Sequence, residues 1–447
     1  MRPTYPFEEI SGWLTAPEDR QAALDTQVKA DVVIIGGGYT GLSTALVLRE
    51  RGMDVAILEQ GFAGSGASGR NAGHLAPTIG KDIPSLLRFF GAEKAKKLMA
   101  YADTAVNYTE KVINRHGIEC EYEPNGNIVV GVHPKHEDGL RKAADTAQSL
   151  GGNVRFMDGN EMRQRQLPRA FTCGILEERG GILNPGKYVL GLRRAALNAG
   201  VRIYEDSKLT SLENGSTVTA ITSKGSISAG KAVLATNAYT KSTGWHKRTV
   251  TPIRATLFET KPLSDAQLAT LGWKFREGVY TAHQTLESFR LTARNTIVGG
   301  TKKVSYAYGS ALANGYNEQV FQTIEGAFRA RFPELTDVEI AQWWGGWFGL
   351  TLDFLPMIGV SGDHHNVYHG FGYAGHGVPQ ATMMGSMLAD KIEGIENPWE
   401  QVLDRRHLNW PPEPLRWLGV KALTLTFNAM DKRTDRQIRE LGVRGCH

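Results

Sequence analysis

Ala30-Asp-Val-Val-Ile-Ile-Gly-Gly-Gly-Tyr-Thr-Gly-Leu-Ser-Thr-Ala-Leu-Val-Leu-Arg49 carries an apolar strand into Gly36-x-Gly38-x-x-Gly41 and on into a helical pattern. This order predicts a turn that holds a dinucleotide. The first glycine permits the tight turn, and the second lets the backbone approach a pyrophosphate. The third lets the helix pack close to the strand, and the free N–H groups at the helix start meet the phosphate charge. Gly52 is placed to end the helix, and Asp54-Val-Ala-Ile-Leu58 reads as a second strand. Glu59 closes that strand 18 residues after Gly41, about where a carboxylate meets a ribose hydroxyl. An ordinary βαβ turn accounts for the glycines, but not for strand, glycines, helix and acid together. Alone, the fingerprint fits NAD as well as FAD.

Composition narrows the class. A chain of 447 residues is long enough for two or three packed regions. With 41% hydrophobic and 22% charged residues it has the balance of a soluble globular protein. The net charge of +5 comes from scattered Lys and Arg, which argues for a solvated surface and against nucleic-acid binding. The three cysteines, Cys120, Cys173 and Cys446, form no CxxC pair and no zinc pattern. Reduced thiols, a cytoplasmic location and no bound metal are therefore expected. The opening Met1-Arg-Pro-Thr-Tyr-Pro-Phe-Glu-Glu-Ile10 lacks the apolar region of a signal peptide, and no stretch is apolar enough to span a membrane.

Outward from the opening unit, Gly64-Ser-Gly-Ala-Ser-Gly-Arg-Asn-Ala-Gly73 forms a loop of small residues followed by His74. Helical spacing covers about 82–116, then a strand at 126–132, a helix at about 135–149 and a short strand at 154–156. A second strand–helix–strand signal runs from near Gly180 through Gly200 to the strand Val201-Arg-Ile-Tyr204, and Leu209 is also read as part of the strand after Gly200. Two hairpin-like segments lead to Lys231-Ala-Val-Leu-Ala-Thr236. Strands are expected at 255–259, 287–291 and 296–300, and a helix at about 317–331. Asn366–Val378 repeats strand and glycine loop, with a helix expected over Ala381–Asp390. The tail after about 401 holds Pro411-Pro-Glu-Pro414 and a partly amphipathic stretch from Leu415 to Met430. Two roles are open to it, packing on the body of the protein and reversible peripheral contact with a membrane.

Four features in order, the glycine fingerprint, Ser68-Gly-Arg-Asn-Ala-Gly73, Leu234-Ala-Thr-Asn-Ala-Tyr239 and Gly370–Gly377, together resemble the D-amino-acid oxidase/sarcosine oxidase superfamily of FAD enzymes. The resemblance runs from about residue 30 to 394. Trp344-Gly-Gly-Trp-Phe-Gly-Leu-Thr-Leu-Asp-Phe-Leu-Pro-Met-Ile-Gly359 is similar to a W-x-G-x-x-x-x-T-x-D-x-x-P-x-I-G segment and points to the branch of gamma-glutamylputrescine oxidoreductases. The implied fold is mixed α/β: a Rossmann-like FAD-binding domain of glutathione-reductase type plus a substrate domain with a large mixed or antiparallel sheet. The implied division gives 24–95, 165–250 and 337–400 to a discontinuous FAD domain, 96–164 and 251–336 to the substrate domain, and 401–447 to the tail.

The resemblance also assigns residues. Gly36, Gly38, Tyr39, Thr40, Gly41, Glu59 and Gln60 would surround the ADP half of FAD, with Leu209 at the adenine. Ser68, Arg70, Asn71, Ala72 and Gly73, with Thr236, Asn237 and Gly346, would contact the cofactor further along. Gly372, Tyr373, Gly375, Gly377 and Val378 would meet the isoalloxazine ring, and the helix that follows would stabilise negative charge on it. His376, Trp347 and Phe348 are the implied catalytic group, and His74, Phe289 and Arg290 the implied substrate contacts. Independently of the resemblance, Trp343 and Trp344 read as core packing and Lys302 and Lys303 as surface charges. An aromatic wall at Trp347 and Phe348 could hold an alkylammonium ion by cation–π attraction.

Departures from the family pattern sharpen the expectation. Phe348 stands where glycine- and D-amino-acid-oxidising members often carry an Arg that pairs with the α-carboxylate. No Arg occurs near Gly73 or His74 either. Both favour an amine whose carboxylate is remote or absent. Trp347-Phe-Gly-Leu350 lacks the Cys that binds flavin covalently in sarcosine-oxidase-like members, and Asn71 stands where another branch has His. FAD is therefore expected to bind non-covalently. The leading expectation is oxidation of a C–N bond in a small-molecule amine, gamma-glutamylputrescine-like or otherwise N-substituted. The imine would hydrolyse to aldehyde plus amine or ammonia, with O2 or another acceptor reoxidising the flavin. The alternatives are a D-amino-acid or imino-acid dehydrogenase and a non-catalytic flavin-binding partner subunit.

Overall fold

A computed structural model describes residues 5–313 and 315–444. Cys446 lies outside the described residues, whereas Cys120 and Cys173 are buried free thiols. The opening strand Gln27–Ile35 is fully buried from Val32 onward, as its apolar run requires. It pairs in parallel with Val55–Leu58 on one side and Ser226–Leu234 on the other. Arg202–Tyr204 extends the sheet at one edge, and Val367–Phe371 and Met357–Ser361 extend it at the other. The long strand Ser226–Leu234 forks: residues 232–234 pair with Val367–His369, and its first half pairs with the hairpin Ser211–Asn214 and Val218–Ile221.

A second sheet of eight strands follows the order Ile340–Leu350, Thr251–Thr260, Ile297–Thr301, Glu287–Leu291, Gly278–Thr281, Asn127–Gly131, Cys173–Glu177 and Val154–Met157. Its neighbours are antiparallel except Gly278–Thr281 and Asn127–Gly131. Cys173–Glu177 and Ile340–Leu350 thus belong to this sheet by hydrogen bonding, although the expected stretches 165–250 and 337–400 group them with the first. The strand His74–Leu75 pairs with Gly181–Ile182 in a small ribbon apart from both sheets.

The helix Tyr39–Glu50 packs directly on the opening strand. A Cβ at Gly41 would stand 1.9 Å from the Gly36 carbonyl oxygen, so only glycine allows this approach. The helix Gly377–Glu393 packs on the same helix through another missing side chain. A Cβ at Gly385 would stand 2.5 Å from that of Ser43, and the Ser43 hydroxyl donates to the Thr382 carbonyl at 2.7 Å. This helix begins four residues before the expected Ala381.

Several expected elements stand where the sequence places them. Ile83–Arg115 is capped by Asp82 and broken at Gly91, whose φ is 74°. Glu137–Ser149 and Glu318–Arg331 are also helical. Leu209 is a correction: the strand after Gly200 ends at Tyr204, and Leu209 sits in irregular chain before Ser211. The strand Gly278–Thr281 and the short helix Asp265–Leu271 were not anticipated. A reciprocal Ser264–Gln267 capping box holds that helix. The tail forms one long helix, Leu415–Arg444, and no helix among the described residues is long and apolar enough to cross a membrane.

The crowding at Gly41 gives a direct test. Gly41→Ala should lower stability by about 3 kcal/mol, because the methyl group meets backbone that cannot yield. Gly326→Ala, in a helix with nothing within 4 Å of the added carbon, should be neutral or slightly stabilising. Urea unfolding of both variants measures the contrast.

Candidate active site

Two adjoining cavities lie between the sheets. The first, of about 330 Å3, follows the glycine turn from Leu58–Gly61 past Gly36, Gly38, Tyr39 and Thr40 to the loop 375–378. The second, of about 320 Å3, reaches from that loop toward the second sheet and the C-terminal helix. Arg70, Asn71, Trp347, Phe348 and Gly375 border both.

The first cavity is built to receive an elongated anion. Glu59 accepts hydrogen bonds from the Gly37 N–H at 2.8 Å and the Gly61 N–H at 2.9 Å, which fixes its carboxylate beside the turn. Burial raises the pKa of Glu59, and those N–H groups oppose the rise. The N-cap residue Gly38 has no side chain to cap the helix, so apart from the Tyr39 N–H its first turn keeps backbone donors and positive dipole directed at the cavity. The Tyr39 N–H donates to Ser68 Oγ at 3.0 Å, which ties the small-residue loop to the turn. A Cβ at Gly38 would stand 2.8 Å from that same oxygen. The helix starting at Gly377 is likewise without a side-chain cap. Two helix N-termini therefore open on one cavity.

The expected cofactor residues divide by position. Gln60, Ser68, Leu209, Thr236, Asn237, Tyr373, Gly377 and Val378 all line the first cavity. Ala72, Gly73 and Gly346 line only the second. Gly41 and Gly372 line neither: Gly41 sits in the helix–strand contact, and the Gly372 N–H donates to Asn237 Oδ1 at 3.1 Å. Asn71 is wrapped in its own loop. Its amide donates to the Ser68 carbonyl at 2.8 Å, and its oxygen accepts from the Gly73 N–H at 2.9 Å.

In the second cavity the histidines are constrained. His376 donates from Nδ1 to the Ala374 carbonyl at 3.1 Å, which leaves Nε2 as the acceptor of a neutral ring. His74 Nδ1 lies 2.9 Å from Asn127 Oδ1. The Asn127 amide donates to the carbonyls of Leu75 and Gly181, so its oxygen must accept from His74. His74 Nε2 is then an acceptor too, but it is buried and has no partner. Burial pushes the His74 imidazole down to about 4 and lowers His376 as well.

Three expectations are overturned. Phe289 is 1% exposed and packs against Phe328 and Phe332 in the core behind the second sheet, not against the cavity. Arg290 is also buried and lines neither cavity: it donates to the carbonyls of Gly73 and Leu183 and stands 4.8 Å over the Trp13 ring. Burial pushes its guanidinium down to about 10. Lys302 is not a surface charge. Its side chain is 10% exposed and pairs with Glu287 and with Asp435 at 2.9 Å. The core assignment of Trp343 and Trp344 agrees with their burial. Trp347 already has the Arg254 guanidinium 5.7 Å from its ring centroid, so that aromatic face is occupied by a cation of the protein itself.

Sequence reading did not single out Tyr280, Ser288 or the residues of the C-terminal helix that line the second cavity. Nor did it single out the set His283, Glu287 and Asp435, whose ligand atoms lie within 4.8 Å of one another. Lys302 and Arg331 are salt-bridged into that set, where a metal ion would otherwise supply the positive charge.

A glycine turn beside a fixed carboxylate, two helix N-termini on one cavity and an adjoining chamber define a dinucleotide-dependent oxidoreductase, and residues 31–391 match the family described as FAD dependent oxidoreductase. The chain belongs to that family and is an FAD-dependent enzyme acting on amine or amino donors. It is 29% identical to gamma-glutamylputrescine oxidoreductase of Escherichia coli (strain K12) over 432 residues, spanning 95% of this chain and 96% of that one. It is 30% identical to a probable oxidoreductase, OrdL, of Rhizobium meliloti (strain 1021), over 82% of this chain and 83% of the other. The crystal structure of glycine oxidase from Geobacillus kaustophilus shares the fold, with a TM-score of 0.73 at 20% identity, over 85% of this chain and all of that chain.

Two predictions follow from the buried groups. Arg290→Met leaves the carbonyls of Gly73 and Leu183 without this donor, and should lower stability by about 2–4 kcal/mol in urea unfolding. The histidines make stability depend on pH. His74 holds its proton less tightly in the folded chain than in the unfolded one, so on acidification the unfolded state protonates first. Its contribution is complete above about pH 6.5 and is lost as pH falls toward 4. His74→Gln should flatten the fall in urea midpoint across that window.

Proposed function

We propose that the protein oxidises the C–N bond of an amine whose carboxylate is remote from the reacting carbon or absent, gamma-glutamylputrescine-like or otherwise N-substituted. The observation that carries this reading is the charge around the second cavity. Among the described residues no Asp, Glu or Lys lines it, and Arg70 is its one charged neighbour. The Arg70 guanidinium is turned to the carbonyls of Ser65, Glu9 and Gly345. Among the described lining residues no free cation therefore awaits an α-carboxylate, in agreement with Phe348 in place of an Arg.

In this reading Glu59 would hold the ribose hydroxyls and the N-terminus at Tyr39 the pyrophosphate, and the loop 375–378 with the helix N-terminus behind it would meet the ring. Non-covalent binding is supported by the lining of the two cavities, which among the described residues contains no cysteine. FAD supplies a two-electron acceptor, so that the amine loses two electrons and two protons to become an imine, which water converts to a carbonyl compound plus amine or ammonia. Because no carboxylate lines the cavity to balance an ammonium ion, the amine reacts in its neutral form. His376 Nε2 accepts a hydrogen bond from the amine N–H and orients the nitrogen lone pair. Trp347 and Phe348 exclude water from the point where the two cavities meet.

Anaerobic addition of N-alkylated amines, a diamine series, sarcosine and D-proline to the yellow holoenzyme tests this. The amines should bleach the flavin, faster as pH rises toward the amine pKa, and the α-amino acids should be slow. His376→Gln should keep its flavin and reduce the bleaching rate about 100-fold. Bleaching by α-amino acids alone would overturn the reading, and a yellow protein inert to every donor would favour a flavin-carrying partner subunit. Admitting air afterwards separates an oxidase from a dehydrogenase.

A further inference from the structure

We infer that the C-terminal helix Leu415–Arg444 is the specificity wall of the substrate cavity, and that the amine admitted carries a bulky, uncharged, apolar substituent. The inference rests on the amine-oxidising reading above and narrows its substrate class. Val420, Leu423, Thr424 and Phe427 of this helix line the second cavity. They fall at i, i+3, i+4 and i+7, one face of a helix. Ile253, Leu257, Val304 and Leu350 face the same space. Trp410, just before the helix, joins them and donates its indole N–H to the Leu350 carbonyl at 2.9 Å. This wall lies outside the residues 31–391 that match the family, although the similarity to gamma-glutamylputrescine oxidoreductase, over 95% of this chain, extends into it.

The wall is fixed in position at both ends. At its start, Arg416 donates to Ser310 Oγ at 3.0 Å, and Glu413 accepts from the Gly309 N–H at 3.1 Å. One turn beyond Phe427, Asp431 accepts the N–H groups of Gln284 at 2.9 Å and Thr285 at 3.0 Å, and both of those residues themselves line the cavity. A further turn on, Asp435 meets Arg331 and Lys302, each at 2.9 Å. Burial acts to raise the Asp435 pKa, but His283 and Lys302 hold it below the ordinary carboxylate range.

A wall so fixed selects by chemistry. An apolar chain or ring gains burial against Phe427 and Leu423. A substituent ending in an ammonium and a carboxylate would have to leave water with no free ion in the lining to meet it, and desolvation disfavours it. A glutamyl group is such a substituent, and a phenylalkyl group is not.

The test uses holoenzyme with 4-phenylbutylamine, butylamine, putrescine and gamma-glutamylputrescine, and uses 4-phenylbutan-1-ol as a probe that binds without an amine. The expected order places kcat/KM for 4-phenylbutylamine at least tenfold above that for gamma-glutamylputrescine. Phe427→Ala should reduce the preference for 4-phenylbutylamine over butylamine about tenfold, mainly through KM, and Phe427→Leu should restore part of it. The alcohol should perturb the flavin absorbance, with a Kd about tenfold weaker in Phe427→Ala. If no amine bleaches the flavin but the alcohol binds and weakens in that variant, the wall stands and the amine reading falls. Preference for gamma-glutamylputrescine, or equal binding of the alcohol by the parent and both Phe427 variants, would overturn the inference.

Discussion

A missing side chain at Gly41 governs the arrangement of the whole nucleotide side of the molecule. Without a Cβ there, the helix Tyr39–Glu50 rests on the turn at Gly36, and its first-turn donors arrive beside the Glu59 carboxylate. The same helix then offers Ser43 to Gly385, so a second helix packs at backbone distance and brings its own N-terminus to the cavity. The two N-termini converge because two small-residue contacts, some 340 positions apart, share one helix. Asn237 completes the arrangement: its side chain accepts the Gly372 N–H and so joins the end of the central strand to the second glycine loop. Each contact is one of backbone against backbone or against a short side chain, and none tolerates added bulk.

How much of this could be read beforehand depends on the range of the physics. The glycine turn is local, and its spacing alone determines where the strand stops and the helix starts. The strand Glu287–Leu291 shows the opposite case. Side chains alternate between the faces of a strand, so Phe289 and Ser288 must point opposite ways. Ser288 reaches the cavity and Phe289 the core behind the sheet, but both faces are buried and polarity does not separate them. Arg290 shares a face with Ser288, yet lies far enough along to be captured by the carbonyls of Gly73 and Leu183. A buried Arg whose partners are backbone leaves no acidic residue in the sequence to announce it. The stripe Val420–Phe427 tells that one helix face is turned inward; what shares the space it faces is chain more than 100 residues earlier, such as Gln284 and Leu286.

The electrostatic design of the substrate side is one of withdrawal. Arg70, Arg290 and Lys302 all lie near the cavity in space or sequence, and each is turned to a partner within the protein. The histidines that remain are neutral because burial disfavours their charged forms. A chamber whose one lining charge, Arg70, is turned to backbone carbonyls favours an uncharged nitrogen, the form in which an amine has a lone pair to lose electrons from. The same absence removes the contact that would recognise an α-amino acid. In the proposed function, protonation state and substrate class are thus both set by one property of the lining.

The charges gathered at His283, Glu287, Lys302, Arg331 and Asp435 serve a different end. Burying ions costs desolvation that their mutual attraction only roughly offsets, so such a network is weak as a source of stability. Its geometry is strict, however. Glu287 meets Arg331 at 2.7 Å from one side, while Asp435 of the C-terminal helix meets Arg331 and Lys302 from the other. An apolar contact would let the helix slide or turn by a few ångströms at little cost, whereas a register error here would leave buried charges unpaired. Placing this network two turns beyond Phe427 therefore fixes the rotation and advance of the helix where its apolar face meets the cavity. An enzyme that selects its substrate by the shape of an apolar wall needs that wall immobile, and directional ion pairs hold it more exactingly than packing alone.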